Sequence, residues 1–231
     1  MSNRLLVRLD AHLFSAGVPA PVPVTLAADQ ILCEPGQRLE HVYFPGGAII
    51  GLVYDLADGN SCEIAMIGHY GVLGLQDMLG EGPRQHTAVV QHGGLAWRMP
   101  RQHLLAVFDR DSQVRNLLLK FSGALINQIC MTSVCHSHHT LEQQLARLIL
   151  TLYFSTPDPA LQMTQERLSR LLGVRREGVT LAALRLSQRG LIRYQRGLLE
   201  VVDCPGLVAS ACECVQVMRH AYAWLSRPDQ C

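Results

Sequence analysis

Met163-Thr164-Gln165-Glu166-Arg167-Leu168-Ser169-Arg170-Leu171-Leu172-Gly173-Val174-Arg175-Arg176-Glu177-Gly178-Val179-Thr180 decides the reading of this chain. The Thr164 hydroxyl is suited to cap the N–H groups that open a helix, although Arg167 stands where a capping box would place an acid. Leu168, Leu171 and Leu172 follow at helical spacing, and Gly173 lets the chain reverse. Val174 and Val179 would plug a second helix against the first. That leaves Arg175, Arg176, Glu177 and Thr180 near its exposed N-terminal end, where side chains reach base edges. The pattern is a helix-turn-helix laid out for the major groove of DNA. Thr164 and Gln165, at the start of the first helix, are counted with its DNA-facing residues.

Charge agrees with this placement. Residues 164 to 200 carry eight arginines, among them Arg189 and Arg196, against three glutamates, a local net charge of +5. Residues 1 to 163 carry ten basic and thirteen acidic groups, so the whole-chain charge of +1 hides a basic module joined to a slightly acidic one. Lys120 is the single lysine, so arginine is informative only where it clusters.

The 231 residues, 48% of them apolar, suffice for a full core in one large or two modest domains. No membrane span or signal peptide is expected, which makes a cytoplasmic protein with reduced thiols the default. Eight cysteines, at 33, 62, 130, 135, 204, 212, 214 and 231, are too sparse for a small disulfide scaffold.

From about residue 22 to 105 the text consists of short apolar runs separated by turn signals such as Glu34-Pro35-Gly36 and Pro45-Gly46-Gly47. Strands are predicted at 41–44, 48–56, 61–66, 87–91 and 94–99, forming a compact barrel or roll. A short helix over 101–108 and a long one over 111–135 follow. In the long helix Val114, Leu118, Phe121 and Leu125 recur at four-three spacing. Such a face either packs on its own roll or on a second copy of the chain; the second is favoured, because two-fold pairing sets two recognition helices one DNA turn apart. A further helix is predicted over 140–154. Beyond the helix-turn-helix, residues 191–194, a Gln195-Arg196-Gly197 turn and 198–202 read as a two-stranded wing, and one continuous helix is expected over 207–225. The fold class is thus α+β: a β-roll effector domain (1–110), a dimerisation helix and hinge (111–138), and a winged helix-turn-helix domain (139–231).

This order of elements resembles the bacterial transcription regulators of the Crp/Fnr family over about residues 22 to 205. The most specific part is Gly173-Val174-Arg175-Arg176-Glu177-Gly178-Val179, where the family commonly shows Gly-Val-Ser-Arg-Glu-Thr-Val. The resemblance implies that Arg176 and Glu177 touch guanine and cytosine edges, and that the partners are double-stranded DNA, a second copy of the chain and RNA polymerase, with no membrane. Arg175 replaces the usual serine, and Leu181 stands where a second base-reading basic residue is often found. Val42-Tyr43-Phe44-Pro45 and the glycine-rich stretch 68–74 match the family's effector domain. The ligand positions depart from it. Gly74 is followed by Leu75 rather than glutamate, and His86 rather than arginine precedes Thr87-Ala88. Arg84 would reach in only if the 79–83 loop were rearranged, so cyclic nucleotides are disfavoured and no effector or cofactor is assigned.

The family's oxygen-sensing branch holds an iron–sulfur cluster on N-terminal cysteines, and here none precedes Cys33. Cys130, Cys135, His136, His138 and His139 offer ligands for zinc or haem iron, and make a redox- or metal-responsive regulator the alternative reading. Their spacing matches no structural zinc signature, so hinge and DNA-backbone roles are expected instead. Cys212-Glu213-Cys214, within one helix, would point its sulfurs to different faces. A nucleophile elbow, P-loop, dinucleotide fingerprint and His-Glu-x-x-His pattern are all missing, which argues against an enzyme. A protein-interaction module that kept the fold and lost DNA binding is the remaining class, and the retained basic charge argues against it.

Overall fold

The computed structural model describes residues 2–225 apart from 58, 60, 81 and 159. Its first element is a helix that the strand-rich N-terminal reading passed over, α1 (Arg4–Ser15). Asn3 caps it by accepting from the Leu6 N–H at 2.8 Å, and Leu5, Leu6, Leu9 and Leu13 all turn inward. Each such burial contributes roughly 1.5–3 kcal/mol, enough to hold a 12-residue helix that propensity alone would leave marginal.

The roll has two antiparallel sheets. One takes the order β1 (Val22–Leu26), β7 (Gly94–Pro100), β3 (His41–Pro45); the other takes β2 (Ile31–Cys33), β6 (Thr87–His92), β4 (Ile49–Asp55), β5 (Ser61–Ile67). A one-turn helix, α2 (Gln76–Leu79), lies between β5 and β6. The predicted strands hold to within a residue or two at each end, and β1 and β2 are additions. Leu26, Val42, Phe44, Ile50, Ala88, Val90 and Ala96 fill the interior.

After α3 (Arg101–Arg110), α4 (Ser112–His138) runs for 27 residues, capped by Asp111. Val114, Leu118 and Phe121 are at most 1% exposed and sit in the core of the roll, with half-buried Leu125 packed beside them. This corrects their assignment as a dimer seam: the first four-three stripe of the helix serves its own subunit. A second stripe lies on the opposite side, where Leu119, Ile126 and Val134 are exposed together with Gly123 and Cys130. Apolar residues on two faces make α4 long and apolar enough to cross a membrane by length and composition. Seven of its residues are buried against the protein itself, which accounts for one of those faces.

The C-terminal unit packs α5 (Leu141–Ser155), α6 (Gln165–Leu172) and α7 (Arg176–Gln188) around Leu145, Leu148, Leu152, Leu168, Leu172, Val179 and Leu186. Its three-stranded sheet, β8 (Ala160–Gln162), β10 (Leu198–Val201), β9 (Ile192–Gln195), contains the expected wing. Arg196 and Gly197 both take positive φ, 50° and 80°, as a two-residue hairpin turn requires. The single final helix is instead two, α8 (Cys204–Ser210) and α9 (Cys214–Tyr222), the chain turning extended at Ala211. The roll and this unit are in direct contact. Arg167 on α6 donates to both carboxylate oxygens of Asp29 at 2.5 Å and to the Gln91 carbonyl at 2.8 Å, and the Thr156 hydroxyl donates to the Gly47 carbonyl at 2.9 Å.

Candidate functional site

The open N-terminal end of α7 is built by its neighbours. Thr164 caps α6 through the Arg167 N–H at 3.1 Å, and Gly173 ends it at φ 64°, a left-handed position that favours glycine. Gly178 lets α7 lie against α5, since a Cβ there would meet Leu141 at 2.7 Å. Val179 is buried and Val174 half-buried, as the plugging pattern implied. The Thr180 hydroxyl donates to Gln165 Oε1 at 2.7 Å and so ties the two helices.

Arg175, at the N-cap of α7 without capping it, and Arg176, Glu177, Thr180 and Arg196 are all exposed. Among the described residues Arg175, Arg176 and Arg196 form no internal ion pair, whereas Arg170 pairs with Glu166, Arg193 with Glu200 and Arg185 with Glu142. Arg189 is engaged inside the protein. It donates to Glu142 at 3.0 Å and to the Ser210 hydroxyl at 2.7 Å, bracing the C-terminal end of α7 on α5 and α8.

At the positions of the roll where family ligands would sit, polar side chains are paired with one another, except that the buried Arg84 Nε has no hydrogen-bond partner among the described residues. Arg84, 2% exposed, pairs with the buried Asp77 carboxylate on α2 and donates from its other terminal nitrogen to His86 Nε2 at 2.9 Å. Asp77 draws it inward, and the Arg84 carbonyl accepts from the Gly36 N–H at 2.8 Å. Burial first, and then the Arg84 charge, pull His86 down to about 4, so it is neutral and free to accept. Leu75 is buried beside Gly74, and the Thr87 hydroxyl donates to Asp55 at 2.9 Å. A cavity of about 460 Å³ opens elsewhere, between β5, α4, α5 and α9, and none of these five candidate residues lines it.

A second grouping lies at the hinge. Cys135, in the last turn of α4, and His139, its C-cap, are one helical turn apart and face the break between α8 and α9. That break brings both sulfurs of Cys212 and Cys214 to the same point, contrary to the reading that a continuous helix would separate them. Ligand atoms of Cys135, His139, Cys212 and Cys214 all lie within 4.8 Å of one another. The Cys135 and Cys212 sulfurs are 3.5 Å apart, and Cys214 Sγ is 3.7 Å from His139 Nδ1. The hydrogen bond with Cys135 pulls Cys212 down to about 5, while burial pushes Cys214 up to about 11. Of the other residues singled out there, Cys130 and His138 are exposed and His136 is half-buried; none joins the cluster. Cys212 and Cys214 were missed as partners because their convergence depends on a helix break.

A β-roll joined by one long helix to a winged helix-turn-helix, with unpaired arginines at the open end of its second helix, defines a class of two-part DNA-binding regulators. The cyclic nucleotide-binding domain model matches residues 23–111 and the Crp-like helix-turn-helix domain model residues 143–210. Between them they span well over half the chain, which belongs to the Crp/Fnr family of transcription regulators. It is similar to FixK2 from Bradyrhizobium japonicum, at 16% identity over 84% of this chain and 98% of that one, with a TM-score of 0.71. TTHA1359, a CRP/FNR-family transcriptional regulator from Thermus thermophilus, is 19% identical over 82% and 98%, with a TM-score of 0.65. The c-di-GMP responsive global regulator CLP from Xanthomonas campestris is 13% identical over 85% and 97%, with a TM-score of 0.60. At these identities the likeness shows the fold alone. No curated protein matches the chain.

Proposed function

We propose that the protein acts as a homodimer that binds a two-fold symmetric DNA operator in a sequence-specific way. The observation that carries this reading is the open end of α7, where Arg175, Arg176 and Glu177 stand exposed while the other arginines of α6, α7 and β9 are held by internal partners. Arg176 would donate two hydrogen bonds to guanine O6 and N7, and Glu177 would accept from cytosine N4. Arg175 and Arg196 would hold phosphates, with Thr164 and Gln165 at the groove wall. The second copy would pack on Leu119, Gly123, Ile126, Cys130 and Val134, which recur three or four residues apart on the solvent side of α4 without a charged residue among them. Selecting bound duplexes from a random pool should return a symmetric motif. Binding without sequence preference at ~150 mM salt, where backbone attraction is screened, would refute the proposal.

The signal is not a cyclic nucleotide on this reading. The buried guanidinium available to a phosphate already holds the Asp77 carboxylate, and displacing it would strand that charge. Calorimetry with cyclic AMP and cyclic GMP should show no micromolar binding; a stoichiometric, saturable heat with either would contradict this. A metal-responsive regulator is the second reading, and one observation favours it: the convergence of Cys135, His139, Cys212 and Cys214 at the hinge.

A further inference from the structure

The geometry points to a single tetrahedral Zn²⁺ held by Cys135, His139, Cys212 and Cys214. This deepens the metal-responsive reading by naming the full ligand set and the class of ion, and it holds or fails independently of DNA binding.

Tetrahedral zinc has Zn–S bonds of ~2.3 Å and Zn–N bonds of ~2.0–2.1 Å, so its ligand atoms stand roughly 3.5–3.8 Å apart. The two closest pairs here, 3.5 Å and 3.7 Å, already have that separation. A spread of at most 4.8 Å leaves room for one ion and not for a multi-iron cluster. Three soft sulfurs and one imidazole select a thiophilic ion over magnesium or calcium.

Two independent features of the surroundings agree. His139 turns Nδ1 toward Cys214 and Nε2 toward the Glu213 carboxylate at 3.3 Å, the relay that fixes the tautomer of a metal-bound histidine. Arg147, 4% exposed, forms no ion pair with a carboxylate among the described residues. Its Nε donates to Cys135 Sγ at 3.1 Å and a terminal nitrogen approaches Met218 Sδ at 3.9 Å. A buried guanidinium needs an anion. Zn²⁺ with three thiolates carries one net negative charge, and Arg147 balances it. Binding would release to solvent whichever thiol protons remain, with no change of oxidation state.

The site lies where α4 ends, α5 begins and α8 gives way to α9, and α8 also receives Arg189 from the end of α7. Metal would therefore pin the hinge to the support of the DNA-reading helix.

Full-length protein purified under reducing conditions should contain one zinc per subunit. Zinc-stripped protein titrated with Co²⁺ should develop thiolate-to-cobalt charge-transfer absorption and tetrahedral d–d bands at one equivalent. Cys212→Ser/Cys214→Ser should lose both signals; Cys130→Ser and His138→Ala should keep them. Glu213→Gln, which leaves every ligand in place, should weaken zinc binding by about 10–100-fold. Should the double variant fail to fold, the wild-type cobalt spectrum and Glu213→Gln still decide. Metal-free protein that takes up no cobalt, or that holds a Cys135–Cys212 disulfide instead, overturns the assignment, as does unchanged cobalt uptake by the folded double variant. Operator affinity measured on the same preparations separates this outcome from the DNA-binding proposal.

Discussion

Replacing Ile126 by aspartate is expected to yield a folded monomer that no longer holds its operator. Ile126 is 60% exposed in the single subunit, so the change costs the protomer little. In the proposed dimer it would bring two carboxylates into an apolar seam, where an uncompensated charge costs ~3–5 kcal/mol. At 1.4 kcal/mol per decade, the dimer constant should rise by at least about a hundredfold. Loss of the tethered second half-site should weaken operator binding by about 10²–10⁴-fold. Phe121→Asp makes the contrast: Phe121 is 1% exposed, and its replacement should lower the melting temperature sharply in the monomer itself. Light scattering and circular dichroism on the two variants settle the matter. An Ile126→Asp protein that remains dimeric would place the seam elsewhere.

Arg176→Ala should cost ~1–3 kcal/mol on the preferred operator and flatten discrimination at one base pair per half-site, because a bidentate donor is lost only where guanine was present. Arg196→Ala should weaken all duplexes alike and reduce the salt-dependence slope by roughly one per contact removed. Arg189→Ala should behave differently from both, since that side chain is spent on Glu142 and Ser210, and its loss should appear first as reduced thermal stability. The assay is each variant against singly substituted operators at two salt concentrations. Unchanged base preference in Arg176→Ala would remove Arg176 from the reading residues.

The helix-turn-helix was legible because its determinants are local: Thr164 caps, Gly173 reverses, and Val179 is buried where helical spacing puts it. Strand positions were legible for the same reason. What escaped depended on contacts distant in sequence. The four leucines of α1 share one face behind a capping asparagine, a signal present in the text but masked by its strand-rich continuation. The partner of α4 could not be read from periodicity, since the helix repeats apolar residues on both sides and only the folded roll shows which stripe it takes. Cys212 and Cys214 meet His139 through a break at Ala211, and the four ligands come from segments 73 residues apart at their nearest, so no local spacing announces them.

Ile49 and Met66 belong to the roll by sequence, yet in space they are part of the C-terminal core, with Leu145, Ile149 and Leu152 of α5. The two halves therefore do not behave as interchangeable cassettes: grafting this reading head onto another sensor would leave behind two of the side chains that complete its interior. Ancestral shuffling of such modules would have had to carry these contact residues along or rebuild them, and a chimera made from this chain inherits the same obligation.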